Sequence, residues 1–292
     1  MSYQLDIVSQ IKSVEEELRA SEKKVGQLIL KDLEWASQAS IHELAAKAGV
    51  SEASVTRFSR AVGCKNVRDL KKALVSSFAI GQRFIEGYSE PISDESGAIG
   101  RVAKGILQAV NTAVQQTSQL KVEKAAKAIH ESRKTVVFGC GGGGTIIAED
   151  TVNRLFRFGL EISAYDDFVM QRMVVSTLDE NCCVLVISTT GQIPELNENA
   201  EIARQYGAKV ISVTRGDSPL AKVSDIHLQV HIEEEEGIFK ATPSRYALLA
   251  VVDAIALEVA MLRKDSSAEV LRRIKYNLDS VRGQDKRFPV GD

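Results

Sequence analysis

No proline precedes Pro91, and the 292-residue chain holds only five. A proline-free stretch can run as uninterrupted helix, and residues 1–85 carry apolar periodicity suited to helix throughout. Long hydrophobic runs are missing too. No stretch reaches the ~18 apolar residues of a membrane span, and residues 1–10 lack the charged start and apolar run of a secretion signal. The expected setting is the cytoplasm, with no membrane partner. Cysteine is scarce. Cys182 and Cys183 adjoin in an apolar run and read as small core residues, while Cys64 and Cys140 stand alone. The four histidines are scattered, and no C-x-x-C pair or Cys/His cluster occurs. Neither a structural metal nor a resident cofactor is expected. Aromatic residues make up 5%, and the one tryptophan, Trp35, is assigned to a small helical core. Internal repeats and low-complexity tracts are absent as well.

What is present suggests two domains by length, with enough apolar residues (44%) for two buried cores. Net charge is −2, yet residues 40–84 carry eight Lys/Arg against three acids. Such asymmetry is expected of a nucleic-acid-binding module, although solvated helix faces give the same excess. Ser21 is placed as the cap of a helix bearing Val25, Leu28 and Ile29. A cluster of Gly87, Ser89, Pro91, Ser93, Ser96 and Gly97 marks a linker. Helices are expected over 101–116 and 122–132. From Thr135 the pattern switches to short apolar runs, at 135–138, 161–164, 182–188, 209–213 and 226–230, with helices between most of them. That alternation means a parallel sheet covered by helices. Longer helices are expected over 244–262 and 267–281, and the acidic run Glu233–Glu236 is read as an exposed loop. The fold class is therefore an all-α N-terminal domain plus an α/β three-layer domain with a five-stranded parallel sheet. The boundaries are set at 1–85, at 86–120 for linker and connecting helix, and at 121–292.

The stretch Ile41 to Arg60 has the parts of a helix-turn-helix. Ala45 is small where two helices cross, Gly49 suits a left-handed turn, and Ser51 caps the second helix. Leu44, Ala48, Val50, Val55 and Phe58 supply the seam. Ser51, Glu52, Ala53, Thr56, Arg57 and Arg60 are left facing outward, where such a motif reads the major groove of double-stranded DNA. An ordinary helical hairpin is the plainer reading. Lys65, Arg68, Lys71 and Lys72 flank the motif as candidate phosphate contacts, with Lys65 placed in the DNA-binding set.

Two loops carry the second constellation. Val136 to Thr145 runs from strand into glycines and then helix, with five glycines in six positions. Backbone amides there can approach an anion at the helix N-terminus. Gly141, Gly142, Gly143, Gly144 and Thr145 are the candidates. Ser188-Thr-Thr-Gly-Gln-Ile-Pro-Glu195 is a hydroxyl-rich loop opening another helix, which adds Ser188, Thr189, Thr190, Gly191 and Glu195. Two such loops at one sheet edge suit a phosphorylated sugar. A competing reading takes Gly139, Gly141 and Gly144 as a G-x-G-x-x-G dinucleotide loop with Asp166 and Asp167 near the ribose, giving an NAD-sensing regulator. A further alternative is a sugar-phosphate isomerase using Glu195, Glu149 or His227 as base.

Together these motifs resemble the RpiR family of regulators, which join a helix-turn-helix domain to a SIS (sugar isomerase) domain. The resemblance rests on Ser21-Glu-Lys-Lys-Val25, Ile41 to Phe58, the Gly139 loop, Ser188 to Glu195 and Pro219-Leu-Ala221. Phe156-Arg-Phe158 followed by Met170-Gln-Arg-Met173 is similar to the HexR-type subgroup, whose effectors are phosphorylated hexose acids. The resemblance implies a non-catalytic, DNA-binding regulator of carbohydrate genes, a repressor by preference, forming a homodimer or homotetramer and bound by a sugar phosphate. It implies phosphate contacts at Ser188 and Thr190, an acid at Glu195, and a Ser-Arg pair at Ser244 and Arg245. This chain departs from the family twice: Gly143 or Thr145 stands where a serine is usual, and Ile193 where a threonine is usual.

Overall fold

A computed structural model describes residues 6–85, 97–234 and 242–282. Most of the linker cluster, together with Glu235 and Glu236, lies outside the described residues. The chain divides into two compact units.

The first unit contains α1 (Ile7–Val14), α2 (Ala20–Lys31), α3 (Leu33–Gln38), α4 (Ile41–Ala48), α5 (Glu52–Ala61) and α6 (Val67–Ile85). Ile11, Val25, Ile29, Leu44, Val55, Phe58, Leu70 and Leu74 are fully buried and form one core. Trp35 is only partly buried against it, with the Lys47 ammonium 3.6 Å from its ring centre. Ser21 does not cap α2. The helix starts one residue earlier, and Glu22 reaches back to accept from the Arg19 amide at 3.1 Å. A carboxylate at this position also suits the positive helix end.

The second unit is built on a sheet ordered β2-β1-β3-β4-β5, parallel throughout. Its strands are β1 (Lys134–Phe138), β2 (Ile162–Tyr165), β3 (Cys182–Ile187), β4 (Lys209–Thr214) and β5 (Ile226–Gln229). Strand alternation divides the core into two layers. Val137, Leu185, Ile187 and Val213 face α8 (Gln119–Glu131), α9 (Gly141–Leu155) and α13 (Ser244–Leu262). Val136, Phe138, Val184 and Val186 face α10 (Phe168–Val175), α11 (Pro194–Gln205) and α12 (Pro219–Val223). The central strand β3 is buried at every residue, as a strand covered on both faces must be. The helix α7 (Gly97–Gln116), assigned from sequence to the connecting segment, sets Ala109 and Ala113 into the α13 side of this core. The last described helix is α14 (Lys264–Arg282).

Two helix starts differ from the sequence pattern. The glycine run does not precede its helix: α9 begins at Gly141, with Cys140 at the N-cap. The short α12, capped by Ser218 and opened by Pro219, was not anticipated as a helix. The start of α9 lies against the end of β1. A Cβ on Gly139 would stand 2.1 Å from the Gly144 carbonyl oxygen, which is backbone and cannot turn aside. A Cβ on Gly143 would meet nothing within 4 Å. Gly139→Ala should therefore destabilise the second unit by about 1–3 kcal/mol, the usual cost of overpacking, while Gly143→Ala, at an open helical position, should hold or raise its melting temperature. Thermal denaturation of the two variants checks this.

Candidate functional site

In the first unit, α4 and α5 form the expected hairpin. Ser40 accepts from the Glu43 amide at 3.2 Å while Glu43 accepts from the Ser40 amide at 2.7 Å, closing the start of α4. The Ser40 amide, and secondarily the Ser40 hydroxyl, hold the Glu43 carboxyl below its ordinary range. Gly49 takes the turn at φ 64°, and Ser51 accepts from the Ser54 amide at 3.3 Å to start α5. Ala45 is buried where the helices meet.

Ser51, Glu52, Ala53, Arg57, Arg60 and Lys65 are exposed, and Thr56 is half-exposed. Several already have partners. Arg57 donates to Ser54 Oγ at 2.9 Å and lies 3.6 Å from the buried carboxylate of Glu22. Glu52 meets His42 at 3.1 Å, and Thr56 donates to the Glu52 carbonyl at 3.1 Å. Arg60 and Lys65 are exposed as well, as are Arg68 and Lys72 on α6. Lys71, singled out from sequence as a phosphate contact, is spent inside the unit. Its ammonium donates to the carbonyls of Ala36, Ser37 and Ala39 and so closes the end of α3. Burial there lowers its pKa from the ordinary lysine value. Lys71→Ala should thus cost about 2 kcal/mol of stability, as loss of hydrogen bonds from a charged donor does. Arg60→Ala should leave the melting temperature alone and weaken DNA binding. Paired melting and DNA-titration measurements separate these outcomes.

In the second unit, the sheet order places a topological switch between β1 and β3. β1 connects outward to β2, and β3 connects outward to β4 on the other side. Their carboxyl ends open a crevice where parallel α/β folds bind ligands. A cleft of about 360 Å³ lies there, lined by Cys140, Gly143, Gly144, Ile147, Ile187, Ser188, Thr189, Thr190, Ile193, Glu234, Thr242, Ser244, Arg245 and Leu248. Of the residues selected from sequence, Gly143, Gly144, Ser188, Thr189, Thr190, Ser244 and Arg245 meet on this surface. Gly141, Gly142, Thr145, Gly191 and Glu195 do not line it.

Gly191 acts on the shape of the loop. Its φ is +61°, and a Cβ would lie 2.4 Å from Ser218 Oγ. Its carbonyl accepts from Asn197 Nδ2 at 3.1 Å and from the Leu220 amide at 3.3 Å. Its amide donates to Ser188 Oγ at 3.0 Å, and the Gln192 amide donates to Thr190 Oγ1 at 3.3 Å. Both hydroxyls accept in these bonds, so their protons stay available to donate to an anion. Glu195 is exposed on the first turn of α11. Burial, and secondarily the Glu195 charge, push the Cys140 thiol upward, so it stays protonated. Arg245 stacks on Tyr246 at 4.8 Å and donates to its hydroxyl at 2.9 Å. Ser244 donates to Glu234.

Sequence reasoning missed Cys140, Ile147, Ile187, Ile193, Glu234, Thr242 and Leu248 as lining residues. The apolar members carry no local signal, because only the fold turns them towards the cleft. Of the proposed bases, Glu149 and Glu195 lie outside the lining, and His227 donates to the Thr214 carbonyl at 3.0 Å. The dinucleotide reading fits the fold poorly. Asp167 is engaged as the cap of α10, accepting from the Met170 amide at 2.8 Å. The sheet order is the one seen in flavodoxin-like folds, not the 3-2-1-4-5-6 order of dinucleotide binders. Among the described residues no group of three or more His, Cys, Asp or Glu could hold a metal, and no helix is long and apolar enough to cross a membrane.

These two features, a helical hairpin with a basic outer face and a switch-point cleft rich in hydroxyl and amide donors, define a two-domain regulator. The chain belongs to the RpiR family of helix-turn-helix transcriptional regulators that carry a SIS domain. The helix-turn-helix domain of the rpiR family matches residues 5–81, and the SIS domain matches residues 128–258. The chain is 32% identical to the HTH-type transcriptional regulator HexR of Pseudomonas aeruginosa, over 95% of this chain and 97% of that one. It is 28% identical to HexR of Escherichia coli, over 99% of each. Among solved structures, the NanR protein of Vibrio vulnificus, complexed with ManNAc-6P, shares the fold with a TM-score of 0.56 at 20% identity, covering 92% of this chain and 97% of that one.

Proposed function

We propose that the chain represses carbohydrate-metabolism genes by binding double-stranded operator DNA through α5, and that a phosphorylated sugar or sugar acid in the switch-point cleft controls that binding. The observation that carries this reading is the pairing of two donor-rich loops at one crevice. The Ser188 and Thr190 hydroxyl protons, the α9 amides at Gly143 and Gly144, and the helix N-terminus all favour an anion. The relatives named as transcriptional regulators support a binding role over isomerase chemistry, and Glu149, Glu195 and His227, the bases considered from the sequence, lie outside the cleft lining. The NanR complex with ManNAc-6P supports a sugar phosphate as the ligand class, and the resemblance of Phe156-Arg-Phe158 and Met170-Gln-Arg-Met173 to the HexR-type subgroup supports a phosphorylated hexose acid within it. DNA reading is assigned to residues 1–85, the linker and connecting helix to 86–120, and sensing to 121–292, in a cytoplasmic homodimer or homotetramer. A dimer would set two α5 helices on the half-sites of a pseudo-palindrome.

Calorimetric titration with aldose, ketose and aldonate 6-phosphates tests the sensing half. One of them should bind, and Thr190→Val should weaken that binding about tenfold, the loss expected for one hydrogen bond to a charged group, with the melting temperature of the free protein held. Equal affinity of wild type and Thr190→Val would place the phosphate elsewhere.

A further inference from the structure

In α10 the usual placement of residues is reversed. Val169, Met170 and Met173 are exposed, while Gln171 is fully buried. A buried amide side chain is unfavourable unless its polar atoms are bonded, and those of Gln171 are. Its Nε2 donates to the carbonyl of Tyr165, the last residue of β2, at 2.8 Å and to the carbonyl of Gly139, just beyond β1, at 3.2 Å. Its Oε1 accepts from Asn199 Nδ2 at 3.4 Å. Asn199, also fully buried, donates to the Phe168 carbonyl at 3.0 Å and accepts from Arg172. Both ends of the Gln171 amide are thereby fixed. The Gly139 carbonyl shares a peptide group with the Cys140 amide. That peptide is trans, and a planar trans peptide points its C=O and N–H in opposite directions. Gln171 holds the carbonyl on the β2 side, so the amide is directed to the other side of β1, where β3 lies. The β1–β3 pairing ends at Phe138 and Val186. Beyond it Cys140 and Ile187 line the cleft, and the Cys140 amide has no acceptor among the described residues.

We infer that the Cys140 backbone amide is a further donor to the bound phosphate, and that Gln171 is the positioning residue that aims it. This rests on the phosphate reading of the cleft. Gln171 does not line the cleft itself; it acts through the Gly139–Cys140 peptide. An amide free to turn with its peptide would have to be ordered by each ligand that binds, whereas one already fixed loses little. A hydrogen bond to a charged group corresponds to roughly a factor of ten or more in affinity. Gln171 therefore belongs to the machinery of the cleft although it stands in another helix.

The test is amide NMR on the full chain, isotopically labelled at cysteine alone. Cys64, Cys140, Cys182 and Cys183 then give the four signals, assigned by single Cys→Ser variants. The probe is the tightest-binding 6-phosphate of the aldose, ketose and aldonate panel. It should move the Cys140 amide proton downfield, as a new bond to an anion does. Gln171→Met keeps the size of the side chain but has no donor. It should bind the probe about tenfold more weakly by calorimetry and lose the Cys140 response, while the signals of Cys64, Cys182 and Cys183 stay in place and report an intact fold. If Gln171→Met does not fold, Asn199→Asp gives the same test. It sets an acceptor against Gln171 Oε1 and so draws Nε2 away from Gly139, with the same outcome expected. A Cys140 signal that stays still while calorimetry shows the probe bound overturns the inference. Weaker binding with the Cys140 response intact would make Gln171 a packing residue only and overturns it too, as does unchanged affinity in the variant. If wild type binds none of the panel, the phosphate reading itself falls and takes this inference with it.

Discussion

The contact between the end of β1 and the first turn of α9 governs the sensing unit. Gly139 comes so near the Gly144 carbonyl that no side chain fits between them. That approach sets the first turn of α9 directly on the strand end, so that Gly143 and Gly144 line the cleft at the β1/β3 switch point. On the other side of the switch, Gly191 lets the Ser188–Ile193 loop fold back, using its own amide to fix the Ser188 hydroxyl. Backbone geometry at both loops therefore positions the donors before any ligand arrives. Preorganised donors of this kind lose little on binding, which would suit a cleft with few charged side chains to the proposed phosphate.

Much of this was legible in the sequence. The strand-helix alternation from Thr135 onward located all five strands to within a residue or so of each end, because β-branched runs between turn residues have few other uses. Ala45, Gly49 and Ser51 marked the hairpin because crossing, turn and cap each demand a residue type. The failures have physical causes. Ser21 looked like a cap, yet Glu22 closes that helix from inside, an arrangement that pattern reading ranks below a serine. Gly141 to Gly144 looked like a loop because glycine is a poor helix former, but in the fold they are the first turn of α9. Lys71 looked like a phosphate contact, since sequence cannot show that the end of α3 lies within reach of its ammonium. Glu234 was seen only as part of an acidic run, and nothing local marks it as a lining residue of the cleft.

The face proposed to read DNA is similarly constrained by its own partners. Arg57 is held by Ser54 and Glu22, and Glu52 by His42. Any base contact by Arg57 must therefore compete with an ion pair inside the unit, whereas Arg60 and Lys65 stand exposed. DNA affinity from such residues would fall steeply with salt as phosphate counterions are released, while binding in the proposed effector cleft would be less screened. The two halves of the protein should therefore respond differently to ionic strength.

Coupling between the halves is the central claim, and a ligand can shift DNA binding only by the difference in its affinity for the two states. The most direct test is fluorescence anisotropy of the full chain on labelled DNA from upstream of its own gene, titrated with and without the sugar phosphate that calorimetry selects. The DNA dissociation constant should rise several-fold with that ligand and not with inorganic phosphate. By reciprocity the ligand should bind the DNA complex more weakly by the same factor. A DNA titration curve that no phosphorylated sugar or sugar acid displaces, measured with a protein that binds one of them, would contradict the claim.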